Sequence, residues 1–166
     1  MALAIVACGQ KQGAQSAPAA AAPTAVTTTP AGSYDLTPES NTKFLSDYKA
    51  KAGVTARPSG LMYRALKSGN GATVKSGEDM VTVTYKGGLI NGKVFDQTGP
   101  GETATFPAGM LIPGWVEALS LMKEGDAWEI VIPSELGYGA QGAGGDIPPN
   151  QTLVFQMELL NVDPAK

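Results

Sequence analysis

The spacing of apolar residues after Gly60 is the feature that most restricts the fold of this chain. Apolar residues recur at every second position in several stretches, which is typical of strands with one buried face. These stretches are residues 61–66, 81–86, 128–132 and 153–159. The dipeptide Asn91-Gly92, set between two apolar runs, predicts a β-hairpin, and residues 103–106 predict a further short strand.

One segment among these predicted strands has the spacing of a helix instead. It begins at Pro113, is predicted to end at Gly125, and places its apolar residues three and four positions apart. Those residues are Trp115, Ala118, Leu119 and Met122. The sequence therefore predicts an α+β domain in which an antiparallel sheet of five or six strands wraps around one short helix.

A second short helix is predicted ahead of this domain. Thr37 is a favourable N-cap, Pro38 suits the first helical position, and Gly53 is the predicted end. The apolar residues of one face are Phe44, Leu45 and Tyr48. A helix of about 14 residues is marginal by itself, so we expect it to dock on other structure. We assign residues 37–58 to this helix and a connector, and residues 59–166 to the main domain.

The composition excludes several classes of chemistry. The chain contains no histidine, which excludes histidine-dependent nucleophilic catalysis and histidine metal sites. Its single cysteine excludes an intrachain disulfide and a cysteine metal cluster. A net charge of −3 without a basic stripe does not favour nucleic-acid binding. We therefore expect a function that depends on shape, hydrogen bonds and carboxylates, without a cofactor or a metal.

Several segments, taken in their order, resemble the FKBP family of peptidyl-prolyl isomerases. They read YKGGLINGKVFDQT, FPAGMLIPGWVEAL, ELGYG and GGDIPPNQTLVFQMELL, and the resemblance covers roughly residues 60–162. The segment ahead of them, NTKFLSDYKAKAGVTARPSGLMYRAL, resembles the entry to the domain in the bacterial macrophage-infectivity-potentiator branch. That branch has a long dimerising helix, whereas the short helix predicted here favours a monomer or a weak dimer.

The resemblance implies a pocket that binds a peptidyl-proline and helps its amide rotate. Trp115 would form the floor, and Tyr138 would donate a hydrogen bond to a ligand carbonyl. Asp96 would be a buried carboxylate beside the aromatic wall, and Ile147 would line the pocket from a flap. The remaining walls would be Tyr85, Phe95, Phe106, Leu111, Ile112 and Phe155. The resemblance also implies binding of macrolides such as rapamycin. Ala104 stands where much of the family has an aromatic residue, which predicts a more open wall and argues against tight binding of bulky macrolides.

Each of these residues also has a simpler interpretation. Trp115 and Phe155 have the spacing of core residues, and Asp96 follows a hairpin strand where carboxylates usually face water. Tyr138 lies in a glycine-rich loop, where exposed tyrosines are common. Only their combination favours an enzyme acting on proline-containing chains. The alternatives are a chaperone-like FKBP binding module with weak activity and an anchored structural lipoprotein with an incidental pocket.

The first residues suggest where such an enzyme would act. Residues 1–8 end in the sequence IVAC and resemble a truncated lipoprotein signal, in which Cys8 would be lipidated. The alternative is a cloning remnant or a plain apolar start. Residues 9–36 are rich in Ala, Pro and Thr and predict a disordered tether. With a lipid on Cys8, the tether would hold the domain at the periplasmic side of the outer membrane, where it would assist the folding of exported proteins.

Overall fold

The computed structural model describes residues 34–166, in which seven strands form one antiparallel sheet. The strands are β1 (Val54–Ala56), β2 (Met62–Lys67), β3 (Met80–Leu89), β4 (Val94–Gln97), β5 (Ala104–Pro107), β6 (Ala127–Ile132) and β7 (Leu153–Asp163). The helices are α1 (Pro38–Lys49) and α2 (Pro113–Leu121). The strand order is β1-β2-β6-β7-β3-β4, and β5 pairs with β3 beside β4. The predicted fold class is confirmed.

The sheet has seven strands, one more than the upper number of the predicted five or six. β1 has only three residues, two of them exposed, so no alternation of burial is visible in the sequence. Residues 57–60, where the predicted connector meets the predicted main domain, form the turn between β1 and β2. The Arg57 N–H donates to Leu61 O at 2.7 Å, and the Gly60 N–H donates to Arg57 O at 3.0 Å.

The main core lies between α2 and one face of the sheet. Trp115, Ala118 and Leu119 of α2 are buried there, against alternate residues of the two central strands. Those residues are Trp128, Ile130, Ile132, Leu153, Phe155, Met157 and Leu159. α2 begins at Pro113, as predicted, but ends before Gly125. The reason is that Met122 already has an extended backbone, with φ −78° and ψ 153°.

α1 packs on the opposite face of the sheet. Phe44 and Tyr48 are buried against Met62, Ile90 and Val131 in a second apolar cluster. Burying each such side chain contributes about 1.5–3 kcal/mol, which is why so short a helix is stable in this position. The expected docking of this helix is therefore observed. The helix ends at Lys49 rather than close to Gly53.

The start of α1 is held as its sequence predicts. The Thr37 hydroxyl oxygen accepts a hydrogen bond from the Ser40 N–H at 3.3 Å and caps the helix. Just before it, the Tyr34 hydroxyl donates to Asp47 Oδ2 at 2.6 Å, and Leu36 packs on the core. Residues 34–36 therefore contact the folded domain instead of forming the end of the predicted tether.

The predicted signal, its lipidated Cys8 and most of the tether lie outside the described residues. Neither helix within residues 34–166 is long and apolar enough to cross a membrane.

Candidate functional site

A cavity of about 210 Å³ opens between the start of α2 and the sheet. β3 pairs with β4, β5 and β7, and these pairings bring side chains from all four strands to one end of α2. The lining residues are Tyr85, Phe95, Asp96, Phe106, Leu111, Ile112, Trp115, Tyr138 and Phe155. All nine belong to the set that the sequence analysis singles out.

Trp115 is the centre of this aromatic arrangement. The ring centroids of Tyr85 and Phe155 lie 5.1 Å and 5.2 Å from its own, with interplanar angles of 82° and 83°. Phe106 meets it similarly at 6.3 Å and 79°, and Phe95 meets Phe155 at 5.6 Å and 86°. Such edge-to-face pairs contribute about 0.5–1.5 kcal/mol each beyond the area they bury. The rings therefore hold one another in place before any ligand arrives.

The indole N–H of Trp115 is buried and has no hydrogen-bond acceptor within residues 34–166. The residue is only 4% exposed. A buried donor without a partner costs about 1–3 kcal/mol, so the indole is held by its aromatic contacts rather than by a hydrogen bond. Trp115 therefore belongs to the core and also lines the cavity.

The polar groups of the cavity stand on the strands and on the loop between β6 and β7. The Tyr85 hydroxyl donates to Asp96 Oδ2 at 2.7 Å. Burial, and after it this hydrogen bond, raises the pKa of Tyr85 to about 12. The Tyr138 hydroxyl makes no hydrogen bond with any other described residue, and Tyr138 is 39% exposed. The cavity therefore offers one phenol that is already engaged and one that is free to donate.

Comparison with known proteins decides the family. A family model described as FKBP-type peptidyl-prolyl cis-trans isomerase matches residues 71–160. The chain belongs to this family.

Curated relatives and solved structures agree with this assignment. The chain is 48% identical over 124 residues to the "Outer membrane protein MIP" of Legionella longbeachae, covering 74% of this chain and 52% of the relative. It is 49% identical over 121 residues to the "FKBP-type 22 kDa peptidyl-prolyl cis-trans isomerase" of Escherichia coli, covering 72% of this chain and 58% of the relative. The chain thus spans little more than half the length of these curated relatives.

Among solved structures, FkpA from Escherichia coli superposes with a TM-score of 0.73 at 42% identity, covering 77% of this chain and 60% of FkpA. A peptidyl-prolyl cis-trans isomerase from Pseudomonas syringae pv. tomato superposes with a TM-score of 0.70 at 37% identity, covering 76% of this chain and 92% of that structure. These superpositions confirm the predicted FKBP-like fold.

The prediction that Asp96 is buried is wrong. Asp96 lines the pocket of this FKBP domain and is bonded to Tyr85, but it is exposed. The reason is its strand: β4 is the last strand in the sheet order and pairs only with β3 in the described part of the chain. The carboxylate therefore stands at the rim of the pocket in contact with water.

The prediction that Ile147 lines the pocket is not supported either. Ile147 is 6% exposed and packs in the main core, and it is not among the residues around the cavity. Its backbone forms a closed pair with Ala143, with N–H to O distances of 3.0 Å and 3.1 Å in the two directions. The Ile147 side chain at the end of this narrow turn packs in the core and not at the cavity.

Gly87 lies against two of the pocket rings and is not among the residues predicted from the sequence. A Cβ atom at this position would lie 2.6 Å from Phe155 Cε1 and 2.9 Å from Phe95 Cζ. Because glycine has no side chain, the rings of Phe155 and Phe95 can occupy this space. The signal was present in the sequence, because a glycine inside a strand often marks a close approach of neighbouring groups.

Within residues 34–166, no group of three or more His, Cys, Asp or Glu residues is placed to hold a metal ion.

Proposed function

We propose that this FKBP domain catalyses cis–trans isomerisation of peptide bonds that precede proline. The observation that supports it most is the cavity itself, which has an indole floor, aromatic walls and one free phenol at its edge. Its volume of about 210 Å³ is below the roughly 300–1,000 Å³ typical of drug-sized sites. A space of this size suits one proline ring of a longer chain.

The chemistry we propose requires no nucleophile. Rotation about a peptide bond is opposed by about 18–20 kcal/mol, because amide resonance keeps it planar. The planar form is the more polar one and is favoured by water. An apolar pocket that removes the amide from water therefore destabilises the planar form relative to the twisted one. Shortening an isomerisation of tens of seconds to milliseconds requires a factor of about 10⁴, or roughly 5–6 kcal/mol.

Within this proposal the polar groups orient the substrate. The Tyr138 hydroxyl donates to a carbonyl oxygen of the bound chain, since it has no other partner in the described structure. Asp96 holds the Tyr85 hydroxyl and so keeps the Tyr85 ring edge-on to the indole. A proline ring lying on Trp115 is then held between fixed walls while its amide turns. The reaction needs no cofactor.

A protease-coupled isomerisation assay on a proline peptide tests the proposal. Tyr138→Phe and Asp96→Val should each lower kcat/KM by about tenfold, which corresponds to the loss of one hydrogen bond of about 1.4 kcal/mol. Both residues are exposed, so the free energy of unfolding should change by less than about 1 kcal/mol. Tyr63→Phe is the matched control, because Tyr63 stacks on Trp128 at 4.1 Å and does not line the pocket.

The outcomes separate the alternatives. Full turnover in both pocket variants would refute the roles given to Tyr138 and Asp96. A native protein without turnover that still suppresses aggregation of unfolded chains would instead be a chaperone-like binding module. Absence of both would leave a structural lipoprotein. Rapamycin serves as a probe of the pocket, since turnover of the native protein should fall as the macrolide occupies it.

We propose further that the protein acts in the bacterial cell envelope on exported chains, held there by a lipid on Cys8. The resemblance of residues 1–8 to a lipoprotein signal supports this, as does a relative in Legionella longbeachae that is named an outer membrane protein. Mass spectrometry of the native amino terminus tests it. A diacylated Cys8 is the expected result, and an unmodified Cys8 would contradict it.

A further inference from the structure

A buried pair of amide side chains joins α1 to the segment ahead of β7. Asn41 Nδ2 donates to Gln151 Oε1 at 3.1 Å, and the Thr152 N–H donates to Asn41 Oδ1 at 2.8 Å. Asn41 and Gln151 are each only 6% exposed. Buried polar groups of this kind are costly unless every bond is made, so the pair holds the two segments at a defined distance.

The side-chain amide of Gln151 makes two further hydrogen bonds. Its Nε2 donates to Leu36 O at 3.1 Å, ahead of α1, and to Pro149 O at 3.0 Å, in the loop. The side-chain amide of Gln151 therefore links residues that precede α1 with residues that end the β6–β7 loop.

The same segment closes the loop that contains Tyr138. The Asn150 N–H donates to Gly139 O at 2.8 Å, and Gly139 follows Tyr138 directly. Asn150 has a φ of +57°, in the left-handed region that non-glycine residues adopt only at some cost. Such a conformation persists when the surrounding bonds hold it. Hydrogen bonds from the side chains of Asn41 and Gln151 hold the segment around Asn150, at residues 149, 151 and 152.

We propose that Asn41 and Gln151 are positioning residues for Tyr138, and that α1 controls catalysis through them. The inference depends on the proposed isomerase function. Without Asn41, Gln151 Oε1 and the Thr152 N–H lose their partner inside the protein, and the 149–152 segment shifts to recover hydrogen bonds. The shift reaches Tyr138 through Asn150 and Gly139. A displacement of about 1 Å at a substrate-positioning group can lower a rate by up to 10². α1 lies outside the residues that the family model matches.

A second buried contact of α1 provides the matched control. The Tyr48 hydroxyl donates to Glu129 Oε1 at 2.9 Å, on the central strand β6. It belongs to the same helix and is also buried, but it touches neither the 149–152 segment nor the cavity. Glu129 also forms an ion pair with Arg64 at 3.2 Å, so we expect this carboxylate to retain a partner when the phenol is removed. If α1 were merely structural, losing either contact would have the same effect.

The experiment compares Asn41→Ala with Tyr48→Phe in the full chain. Both variants should unfold at lower urea concentration than the native protein. Only Asn41→Ala should lower kcat/KM, by about tenfold, and only it should speed hydrogen exchange at the Asn150 amide. In a Tyr138→Phe background, Asn41→Ala should cause less than a twofold further loss, because its effect passes through the missing hydroxyl.

Several results would overturn the proposal. Equal loss of turnover in Asn41→Ala and Tyr48→Phe would show that α1 acts through stability alone. An unchanged Asn150 exchange rate in Asn41→Ala would refute the coupling between α1 and the loop. Because hydrogen exchange needs no turnover, this result can be obtained even if the native protein is inactive and the isomerase proposal fails. If Asn41→Ala does not fold, Asn41→Ser replaces it, because a short neutral hydroxyl places no charge beside Gln151 Oε1 and Thr37 O. The Asn150 amide should again exchange faster than in the native protein, and an unchanged rate would again refute the coupling.

Discussion

Replacing Gly87 by alanine should displace two aromatic walls of the pocket. Gly87 lies on β3 opposite both Asp96 of β4 and Phe155 of β7. The added Cβ would stand 2.6 Å from Phe155 Cε1, whereas ordinary contact begins at 3.4 Å, so ring or strand must move by about 0.8 Å. Phe155 is 3% exposed and packs on Trp115, which leaves it little room to yield.

The magnitude follows from this forced displacement. Adding a methyl group to a close-packed site usually costs about 1–3 kcal/mol of unfolding free energy. The Cβ would also lie 2.9 Å from Phe95 Cζ, so two walls of the cavity are displaced together. A shift of about 1 Å in the binding geometry reduces kcat/KM by roughly 10- to 100-fold.

The assay is protease-coupled turnover together with urea unfolding, for Gly87→Ala and a matched glycine. Gly145→Ala is that control, because a Cβ there meets nothing within 4 Å and the backbone is not left-handed. Gly145→Ala should leave both turnover and stability close to those of the native protein. A Gly87→Ala variant with lowered stability but full turnover would refute the reasoning, since the ring positions would then not limit catalysis.

Two further predictions concern stability. Gly114→Ala places a Cβ 2.6 Å from Ile132 Cγ2 in the core, and should lower the unfolding free energy by about 1–3 kcal/mol in urea titrations despite the better helix propensity of alanine; an unchanged midpoint would contradict this. Asp79 accepts hydrogen bonds from three backbone N–H groups, Ala165 contributing most, and they hold its pKa below the usual 3.8. The ionised carboxylate therefore stabilises the folded state above about pH 4, and this contribution is lost as the pH falls below that value. The unfolding free energy of Asp79→Asn should depend less on pH between pH 5 and 2 than that of the native protein. An identical pH dependence would argue against this role of Asp79.

Much of the fold could be predicted because the spacing of apolar residues along the chain indicates its strands and helices. The alternation along β6 and β7 reports which residues face α2, and the helical spacing from Trp115 reports which face of α2 is buried. Trp115 needed no tertiary information to be placed at the core. β1 had no such signal, because three mostly exposed residues are too few to define a period.

The pocket residues could be predicted only in combination. Tyr85, Phe95 and Phe155 are each ordinary strand residues, and the family resemblance alone joined them into one site. Their meeting depends on the pairing of β3 with β4 and β7, which brings distant parts of the chain together. No local pattern records that pairing.

The sequence by itself determined the element types, the buried faces and the set of groups able to line an apolar pocket. Only the tertiary structure decided which of those groups reach the cavity. Asp96 is exposed because β4 ends the strand order, and Ile147 turns into the core beside a narrow turn. Asn41 and Gln151, 110 residues apart, meet because α1 docks on the sheet. Exposure and long-range hydrogen bonds are properties of neighbours in space, and local sequence reports only neighbours along the chain.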